Sequence, residues 1–207
     1  MSDPQTRTPG RRDRKKQQTR AALVAAALRL VDERGLERVT VEEISDAADV
    51  SSRTFFNYFA TKDEAIIGDP FVDDREMRAR LESIPADVPI VEALLLAFSP
   101  ATAAIQADQE IWFTRIRIID NNPMLLPALL ARGAPAERKF IATIADRVGA
   151  GPDSAYPQVA AAVIAAAFRT ALMRWAACDG ARPLFELVHE AFGMVAAGLA
   201  EPTNERV

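Results

Sequence analysis

Side chains that can bind an anionic partner are concentrated between residues 40 and 62. This stretch places hydroxyl, amide and cationic groups at short intervals, with the aromatic residue Phe56 among them. Such groups donate hydrogen bonds, and Arg and Lys add positive charge. Their types predict binding to an anion rather than catalysis. The predicted binding residues are Thr40, Ser51, Ser52, Arg53, Thr54, Phe56, Asn57, Tyr58 and Lys62.

Residues that serve catalysis or metal binding are scarce. The chain has one histidine, His189, and one cysteine, Cys178, so neither a His-x-x-x-His pair nor paired cysteines are present. It has no Gly-rich phosphate loop. The acidic run Asp73, Asp74 and Glu76 is more typical of a charged helix face than of a metal site. We therefore predict that the protein is not an enzyme and has no catalytic residue, metal site or cofactor.

Three predicted helix starts hold the binding side chains in place. Thr40 with Glu43, and Thr61 with Glu64, fit the Ser/Thr-x-x-Glu capping box, and Ser51 is a third N-cap. Helices this short bury little surface alone. Packed at an angle across a tight turn, the two central helices form a helix-turn-helix, a shape that enters the DNA major groove.

The helix that begins near Ser51 is the predicted recognition helix. Arg53 can donate two hydrogen bonds to guanine O6 and N7, and the alternative is contact with phosphate or water only. Ser52 lies beside it at the first turn, and Thr54 is a weaker candidate for a base methyl or phosphate. Ser51 either caps the helix or binds a phosphate. Phe55, in contrast, is predicted to be core.

The remaining residues of this stretch are assigned to support and backbone contact. Phe59 lies four residues after Phe55 and is predicted to be core with it. Phe56 lies on a different face and packs against sugar edges or supports the helix. Asn57 is predicted to bond a phosphate, and Tyr58 to bury its ring and direct its hydroxyl to the DNA backbone. Lys62 adds a charge at a helix start, where free N–H groups already attract anions.

These residues resemble a known family. Val50, Ser51, Thr54, Tyr58, Phe59 and Lys62, following Thr40, Val41 and Ile44, are similar to the DNA-binding domain of TetR-family bacterial transcriptional regulators over residues 16–68. The resemblance implies a three-helix bundle with its third helix in the major groove and with Thr40 and Lys62 at phosphates. The chain departs from the family at Asp49, where Gly is usual at the turn, and at Phe56, where a phosphate-contacting Tyr is frequent.

Composition predicts an all-α protein in a reducing compartment. Hydrophobic residues form 49% of the 207 residues, and no period-two alternation persists. A single cysteine excludes an internal disulfide. No apolar run reaches about 18 residues, so no membrane-spanning helix is expected, and the polar N-terminus does not resemble a signal peptide. We expect a cytoplasmic protein that does not bind membranes.

Charge is distributed unevenly along the chain. Residues 1–20 carry seven Arg and Lys against two Asp, a net charge of +5, which leaves −9 for the rest because the whole chain has −4. A basic N-terminal arm on an acidic body favours DNA contact at one end, and the alternative is a solvated tail. We predict a disordered basic arm at 1–15, a helix-turn-helix domain at 16–68, and a helical domain at 69–207.

The second domain is predicted to bind a ligand and to dimerise. Helices are expected at 71–83, 90–107, 108–119, 124–148 with a break near Gly133 and Pro135, 157–177 and 183–199. The last two carry more apolar surface than one face needs, so they predict a four-helix homodimer interface, unless their stripes only close the monomer core.

A small-molecule inducer is predicted to lie among bulky residues of the central helices, although each of these is also compatible with ordinary core. The predicted ligand-binding residues are Trp112, Arg115, Phe140, Phe168 and Met173. Because Arg115 and Arg117 cannot face the same way on one helix, at least one should be solvated. The Arg-x-Arg segment resembles TetR-type regulators that sense acyl-CoA thioesters, which implies an acyl-CoA-like ligand.

The combined prediction is a ligand-responsive repressor that binds a palindromic operator in double-stranded DNA as a dimer and is released by its inducer. The alternative is a helical ligand-binding or interaction protein that has lost sequence-specific DNA binding, for which the departures at Asp49 and Phe56 are the motivation. The operator, inducer and regulated genes are not encoded in any motif of the chain.

Overall fold

The computed structural model describes residues 10–68, 74–151 and 153–199, and every regular element in these ranges is helical. The predicted all-α fold class is therefore confirmed. The helices are α1 (Arg11–Arg34), α2 (Val41–Ala47), α3 (Ser52–Phe56), α4 (Lys62–Ile67), α5 (Asp74–Ser83), α6 (Ile90–Ala107), α7 (Gln109–Asn121), α8 (Leu126–Val148), α9 (Ala155–Ala177) and α10 (Leu184–Ala196), with 3-10 turns at Leu36–Arg38 and Pro123–Leu125.

The helices form two compact units. The first contains the described residues up to Gly68 together with Arg117–Ala128, and the second contains the described residues of Asp69–Ile116 and Leu129–Val207. The sequence predicts one domain over the whole of 69–207, so the placement of Arg117–Ala128 differs from that prediction. The segment joins the first unit through the ion pair of Arg117 with Asp32 at 2.8 Å and the burial of Leu125.

Helix α1 begins at Arg11, five residues before the predicted start at Lys16. Gly10 precedes it in an extended conformation, and the Arg14 N–H donates to the Gly10 carbonyl at 3.0 Å. Arg, Lys and Gln are good helix formers, so a basic segment without apolar period continues the helix in the N-terminal direction. The predicted disorder of residues 11–15 is therefore wrong, and residues 1–9 of the arm lie outside the described residues.

The core of the first unit is formed by one side of α1 and the inner sides of three short helices. Phe55 and Phe59, predicted as core, are both fully buried with ring centroids 5.6 Å apart. Because α2, α3 and α4 each have seven residues or fewer, their stability comes from this shared core rather than from intrinsic helix propensity. Other fully buried members are Leu23, Ala27, Ile44, Ala65 and Ile66.

The second unit is organised around α6, α9 and α10. The backbone N–H of Leu184 at the start of α10 donates to Gln106 Oε1 of α6 at 2.8 Å. Pro183, at the N-cap of α10, has no side chain that can cap, so a residue from another helix satisfies this free N–H. Between α9 and α10, Glu190 accepts from Arg174 at 2.8 Å and from Arg182 at 3.0 Å. These two bonds, that of Arg174 first, hold the pKa of the Glu190 carboxyl below its ordinary value.

Two helices of the second unit contain proline without ending there. Helix α8 is continuous through Pro135, so the predicted break near Gly133 and Pro135 is wrong, and α6 is continuous through Pro100. Each proline removes one backbone hydrogen bond. The apolar residues that follow, including Phe140 and Ile144 on α8, are buried and keep the helix in register.

Helices α6 and α9 are long and apolar enough, by length and composition, to cross a membrane. For the prediction of membrane-spanning helices, the absence of a long apolar run is therefore a weaker criterion than hydropathy averaged over a helix. Core helices of water-soluble proteins have the same properties, and α6 and α9 both contribute buried residues to the second unit, among them Leu94, Phe98 and Trp175.

Candidate functional site

Side-chain caps fix the starts of α2, α3 and α4. At α2 the capping box is complete: Thr40 Oγ1 accepts from the Glu43 N–H at 3.2 Å, and Glu43 accepts from the Thr40 N–H at 3.0 Å. At α4, Thr61 Oγ1 accepts from the Glu64 N–H at 3.2 Å, but the Glu64 carboxylate accepts from the Ala60 N–H instead of completing the box. These bonds satisfy N–H groups that each helix start leaves free.

Ser51 acts as the cap of α3. Its Oγ accepts from the Thr54 N–H at 3.2 Å and lies 2.9 Å from Thr54 Oγ1. The capping alternative for Ser51 is therefore present in the structure, and the hydroxyl of Thr54 is engaged with it. Both hydroxyls keep lone pairs or a proton for a further contact, because a hydroxyl has one donor and two acceptor sites.

The turn between α2 and α3 passes through Asp49, whose φ is +54°. The Val50 N–H donates to the Ser45 carbonyl at 3.0 Å, which closes the turn. Asp is one of the few residues other than Gly that tolerate this left-handed backbone. Asp49 therefore keeps the turn geometry that the resemblance implied for Gly.

The conformation at Asp49 gives a stability prediction. Asp49→Val should lower the free energy of unfolding by about 1–2 kcal/mol, because a β-branched side chain is strained at positive φ. Asp49→Gly should lie within about 0.5 kcal/mol of the wild type, because Gly adopts this φ freely but has more entropy to lose. Thermal denaturation followed by circular dichroism measures both, and equal melting temperatures for the two variants would contradict the assignment.

Helix α3 presents a small recognition surface. Arg53, Phe56 and Asn57 are exposed and Ser52 is half-buried, while Phe55 on the opposite side is fully buried. With about 3.6 residues per turn, Ser52 with Phe56 and Arg53 with Asn57 form two adjacent rows one turn long. We define these four residues as the α3 face. Arg53 is its one charged side chain, and Tyr58 is half-buried beside it.

Lys62 is placed differently from expectation. Its Nζ donates to the carbonyls of Leu36 at 2.7 Å and Val39 at 2.9 Å, and these bonds are partly buried. The ammonium therefore fastens the start of α4 to the 3-10 turn that follows α1. Sequence analysis did not find this role, since a bond between residues 26 and 23 positions apart leaves no local pattern.

The helical N-terminal extension of α1 carries cations in a row. Arg12, Lys16 and Arg20 are spaced at i, i+4 and i+8, so they lie on one side over two turns. Arg12 and Lys16 are exposed, and the Arg20 guanidinium lies 4.8 Å from the centroid of the Phe59 ring. Phe59 in turn contacts Phe55 of α3. The row therefore begins beside the end of α3 and continues away from it along α1.

We expect this row to contribute salt-dependent affinity for DNA. Lys16→Gln should reduce the slope of log K against log salt concentration by about 0.9, the value for one phosphate contact on duplex DNA. Arg29→Gln is the matched control, because Arg29 is an exposed cation on the same helix, paired with Glu33 at 3.4 Å. Fluorescence anisotropy titrations at several salt concentrations measure the slopes, and equal slopes for the two variants would show a general effect of net charge.

The predicted ligand-binding residues do not form one cluster. Phe140 and Phe168 both contact Phe98, with ring centroids 5.9 and 5.3 Å apart, and Phe192 adds a third ring at 6.1 Å. Met173, in contrast, lies on the exposed face of α9. It does not join these rings, because five residues of helix turn it well away from Phe168. We call Phe98, Phe140, Phe168 and Phe192 the phenylalanine cluster.

The two arginines of α7 behave as their spacing requires. Arg117 is exposed and pairs with Asp32, which agrees with the expectation that at least one of the two is solvated. Arg115 is buried at 8% exposure, with its guanidinium 4.8 Å from the Trp112 ring centroid. Stacking on an indole partly offsets the loss of hydration of a guanidinium. Arg115 and Trp112 thus form a pair on α7, and Trp112 also packs against the buried core that contains Phe98, Phe140 and Phe192.

A cleft of about 560 Å³ lies where the end of α5 meets α8. It contains none of the predicted ligand-binding residues. Arg147 lines it and donates to the carbonyls of Leu81, Ile84, Pro85 and Val88, so its guanidinium is engaged in capping the end of α5. Arg78 lines it as well and pairs with Asp146 at 2.7 Å. Both arginines that line the cleft are thus bonded to neighbouring groups of the protein. Among the described residues, no three His, Cys, Asp or Glu side chains are grouped to hold a metal.

Comparison with known proteins connects both units to one family. A family model described as bacterial regulatory proteins of the tetR family matches residues 23–65, and one described as the MftR C-terminal domain matches residues 88–200. The HTH-type transcriptional regulator TcmR of Streptomyces glaucescens is 32% identical over 174 residues, which cover 81% of this chain and 77% of TcmR.

Solved structures share the fold at lower identity. FadR of Thermus thermophilus, a TetR-family repressor solved with lauroyl-CoA, has a TM-score of 0.56 and 19% identity, and the match covers 91% of this chain and 98% of FadR. SmeT of Stenotrophomonas maltophilia, solved with triclosan, has a TM-score of 0.57 and 20% identity, with coverage of 90% and 99%. At these identities the likeness concerns the fold alone.

Proposed function

Because the chain belongs to the TetR family of bacterial transcriptional regulators, we propose that it is a ligand-released repressor that binds a palindromic operator as a homodimer. Members of this family bind DNA and small molecules, act as dimers and are not enzymes. The observation that carries the proposal is the α3 face, which is exposed on a helix fixed by Ser51 and by the Asp49 turn.

In this proposal, α3 lies in the major groove and its neighbours hold the DNA backbone. Arg53 reads a base edge, Ser52 contacts the groove beside it, and Asn57 bonds a phosphate. Thr40, Ser51 and Thr54 present hydroxyls at helix starts, where N–H groups and the helix dipole favour anions. Tyr58 supports the same surface. Lys62 contributes through the fold, since two of its bonds go to backbone carbonyls.

We propose that dimerisation uses α9 and α10. Along α9, Val159, Ala162 and Ala166 are exposed at helical spacing, and Met173 continues the row two turns later. On α10, Phe185 is also exposed. We call this set the α9–α10 face. A row of apolar and small residues on a helix face favours close packing against a second helix pair, and two-fold symmetry then supplies an identical face.

The inducer is proposed to be an apolar molecule with an anionic group, of which an acyl-CoA is one example. The phenylalanine cluster offers apolar surface within the second unit, and Arg115 with Trp112 offers a buried cation beside an aromatic ring. Thermus FadR was solved with lauroyl-CoA, which shows that this fold can hold such a ligand. Calorimetry with fatty acyl-CoAs, with free CoA as control, tests the proposal. Absence of heat and of operator release would reject an acyl-CoA.

Selection of bound sequences from a random DNA pool tests the proposed function itself. We expect an enriched palindrome, because two α3 helices related by two-fold symmetry read two half-sites. Arg53→Ala should lose about tenfold of the discrimination at one base pair of each half-site, whereas loss of a phosphate contact would weaken all sequences similarly. If no sequence is enriched, the alternative gains support: a helical ligand-binding protein without operator recognition. Operator binding also places the protein in the cytoplasm, with the DNA.

A further inference from the structure

Phe56 is an exception among the apolar residues of the three short helices and α1. Within the described residues 10–68, it is the single large hydrophobic side chain that is exposed, at 56%. Its ring meets the Phe55 ring edge-on, with centroids 5.6 Å apart and an interplanar angle of 84°. Phe55 is fully buried, so one edge of the Phe56 ring packs on the core while the rest of the ring faces outward. A single exposed ring needs no partner by itself, but Phe56 lies on the α3 face, which is the surface that DNA covers in the proposed function.

The position of Phe56 selects the part of DNA that it meets. It lies one turn after Ser52 and about 60° around the helix from Arg53, on the α3 face. A phenyl ring has no hydroxyl, so it cannot donate a hydrogen bond to a phosphate as a tyrosine hydroxyl can. Most groups exposed on base edges in the major groove are hydrogen-bonding atoms, and the largest apolar group there is the C5-methyl group of thymine.

We infer that Phe56 is a specificity-determining residue that packs on a thymine C5-methyl group in each operator half-site, and this inference rests on the proposed function. Contact with a methyl group buries apolar surface and needs no hydrogen-bonding partner, so a phenyl ring can make it. The same methyl group occurs at C5 of 5-methylcytosine, so methylation of a cytosine at that position should be read in the same way.

Deoxyuridine substitution isolates the methyl group, because it removes this group from thymine and leaves every hydrogen-bonding atom in place. In the operator selected from a random pool, each thymine is replaced singly by deoxyuridine in both half-sites. We expect one position at which wild-type affinity falls about fourfold per half-site, the value for burial of one methyl group. With Phe56→Ala, the same substitution should have no effect. Phe56→Tyr, which keeps the ring, should retain the sensitivity.

The outcomes separate this inference from the proposed function. If the wild type enriches an operator and no deoxyuridine position depends on Phe56, the inference is wrong and the proposed function stands. If the Tyr variant binds more tightly and loses the deoxyuridine effect, the position contacts a phosphate and the inference is again wrong. If no DNA sequence is enriched, both are wrong. Circular dichroism checks that the variants fold. We expect them to fold, because the side chain at position 56 is exposed.

Discussion

Ala166→Glu on the α9–α10 face should convert the protein to a monomer and lower its affinity for a two-half-site operator by at least about 100-fold. Two half-sites bound together by a linked pair gain about 10²–10⁴ in affinity over one. Loss of the dimer forfeits that gain without touching α3. The expected effect therefore arises far from the DNA-binding residues in sequence.

The size of the effect follows from the place of Ala166. It is exposed and lies at the middle of α9 (Ala155–Ala177), between Ala162 and Met173 in the row of the α9–α10 face. A carboxylate there would be taken out of water on dimerisation, and two-fold symmetry would bring a second carboxylate to the same interface. An uncompensated buried charge costs about 3–5 kcal/mol. The side chains of the α9–α10 face are apolar, and the nearest exposed cation, Arg169 one turn later on α9, is a surface partner that contributes little.

Sedimentation velocity and operator titrations measure the two consequences. Ala103→Glu on α6 is the matched control, because Ala103 is also an exposed alanine within a helix and the substitution adds the same charge. Helix content should be unchanged in both variants. A dimeric Ala166→Glu protein with wild-type operator affinity would show that α9 and α10 only close the core of one subunit, which is the alternative stated for their stripes.

Local features of the fold were accessible from sequence because local bonds produce them. The caps at Thr40, Ser51 and Thr61 each involve residues three positions apart, and the structure contains all three. Burial of Phe55 and Phe59 follows in the same way from a spacing of four. Such patterns depend on helix geometry alone, so they need no knowledge of the tertiary structure.

Features that depend on distant residues were not accessible. Met173 was grouped with Phe168 by residue type, but the helical rotation between them places Met173 on the exposed face. The segment 117–128 falls in the second domain by its position along the chain, yet the pairing of Arg117 with Asp32 joins it to the first unit. That pair spans 85 residues and leaves no periodic pattern.

Lys62 combines both cases. Its type and place at a helix start predict a phosphate contact, and the structure adds a second role, because its Nζ donates to two backbone carbonyls at the 3-10 turn. A cation in the first turn of α4 opposes the helix dipole, which favours negative charge there. The carbonyls of Leu36 and Val39 offset this by accepting two charged hydrogen bonds. The side chain thus serves the packing of α4 on α1, two helices that share the core of the first unit.

Lys62→Met should therefore destabilise the first unit by about 2 kcal/mol, because hydrogen bonds to a charged group contribute about 1.5–3 kcal/mol each and these are only partly buried. Methionine keeps a long apolar side chain without donors, so the loss is confined to the two bonds. For a domain of this size, the change corresponds to a melting temperature lower by about 8–16 °C. Both tryptophans, Trp112 and Trp175, lie in the second unit. Tryptophan fluorescence, which reports on the second unit, should then show an unchanged melting temperature. Circular dichroism should show that part of the helix is lost at a lower temperature than in the wild type.

The same variant distinguishes the two roles of Lys62 in DNA binding. Below its melting transition, a protein that has lost only the fastening of α4 keeps every phosphate contact, so its salt slope should equal that of the wild type. A lost phosphate contact would instead reduce the slope by about 0.9 and leave the melting curve unchanged. Lys16→Gln provides the reference for that second pattern. Lys16→Gln should therefore change the salt slope and not the melting curve, because Lys16 is exposed on the basic row of α1. Lys62→Met should change the melting curve and not the salt slope, because Lys62 is bonded within the first unit.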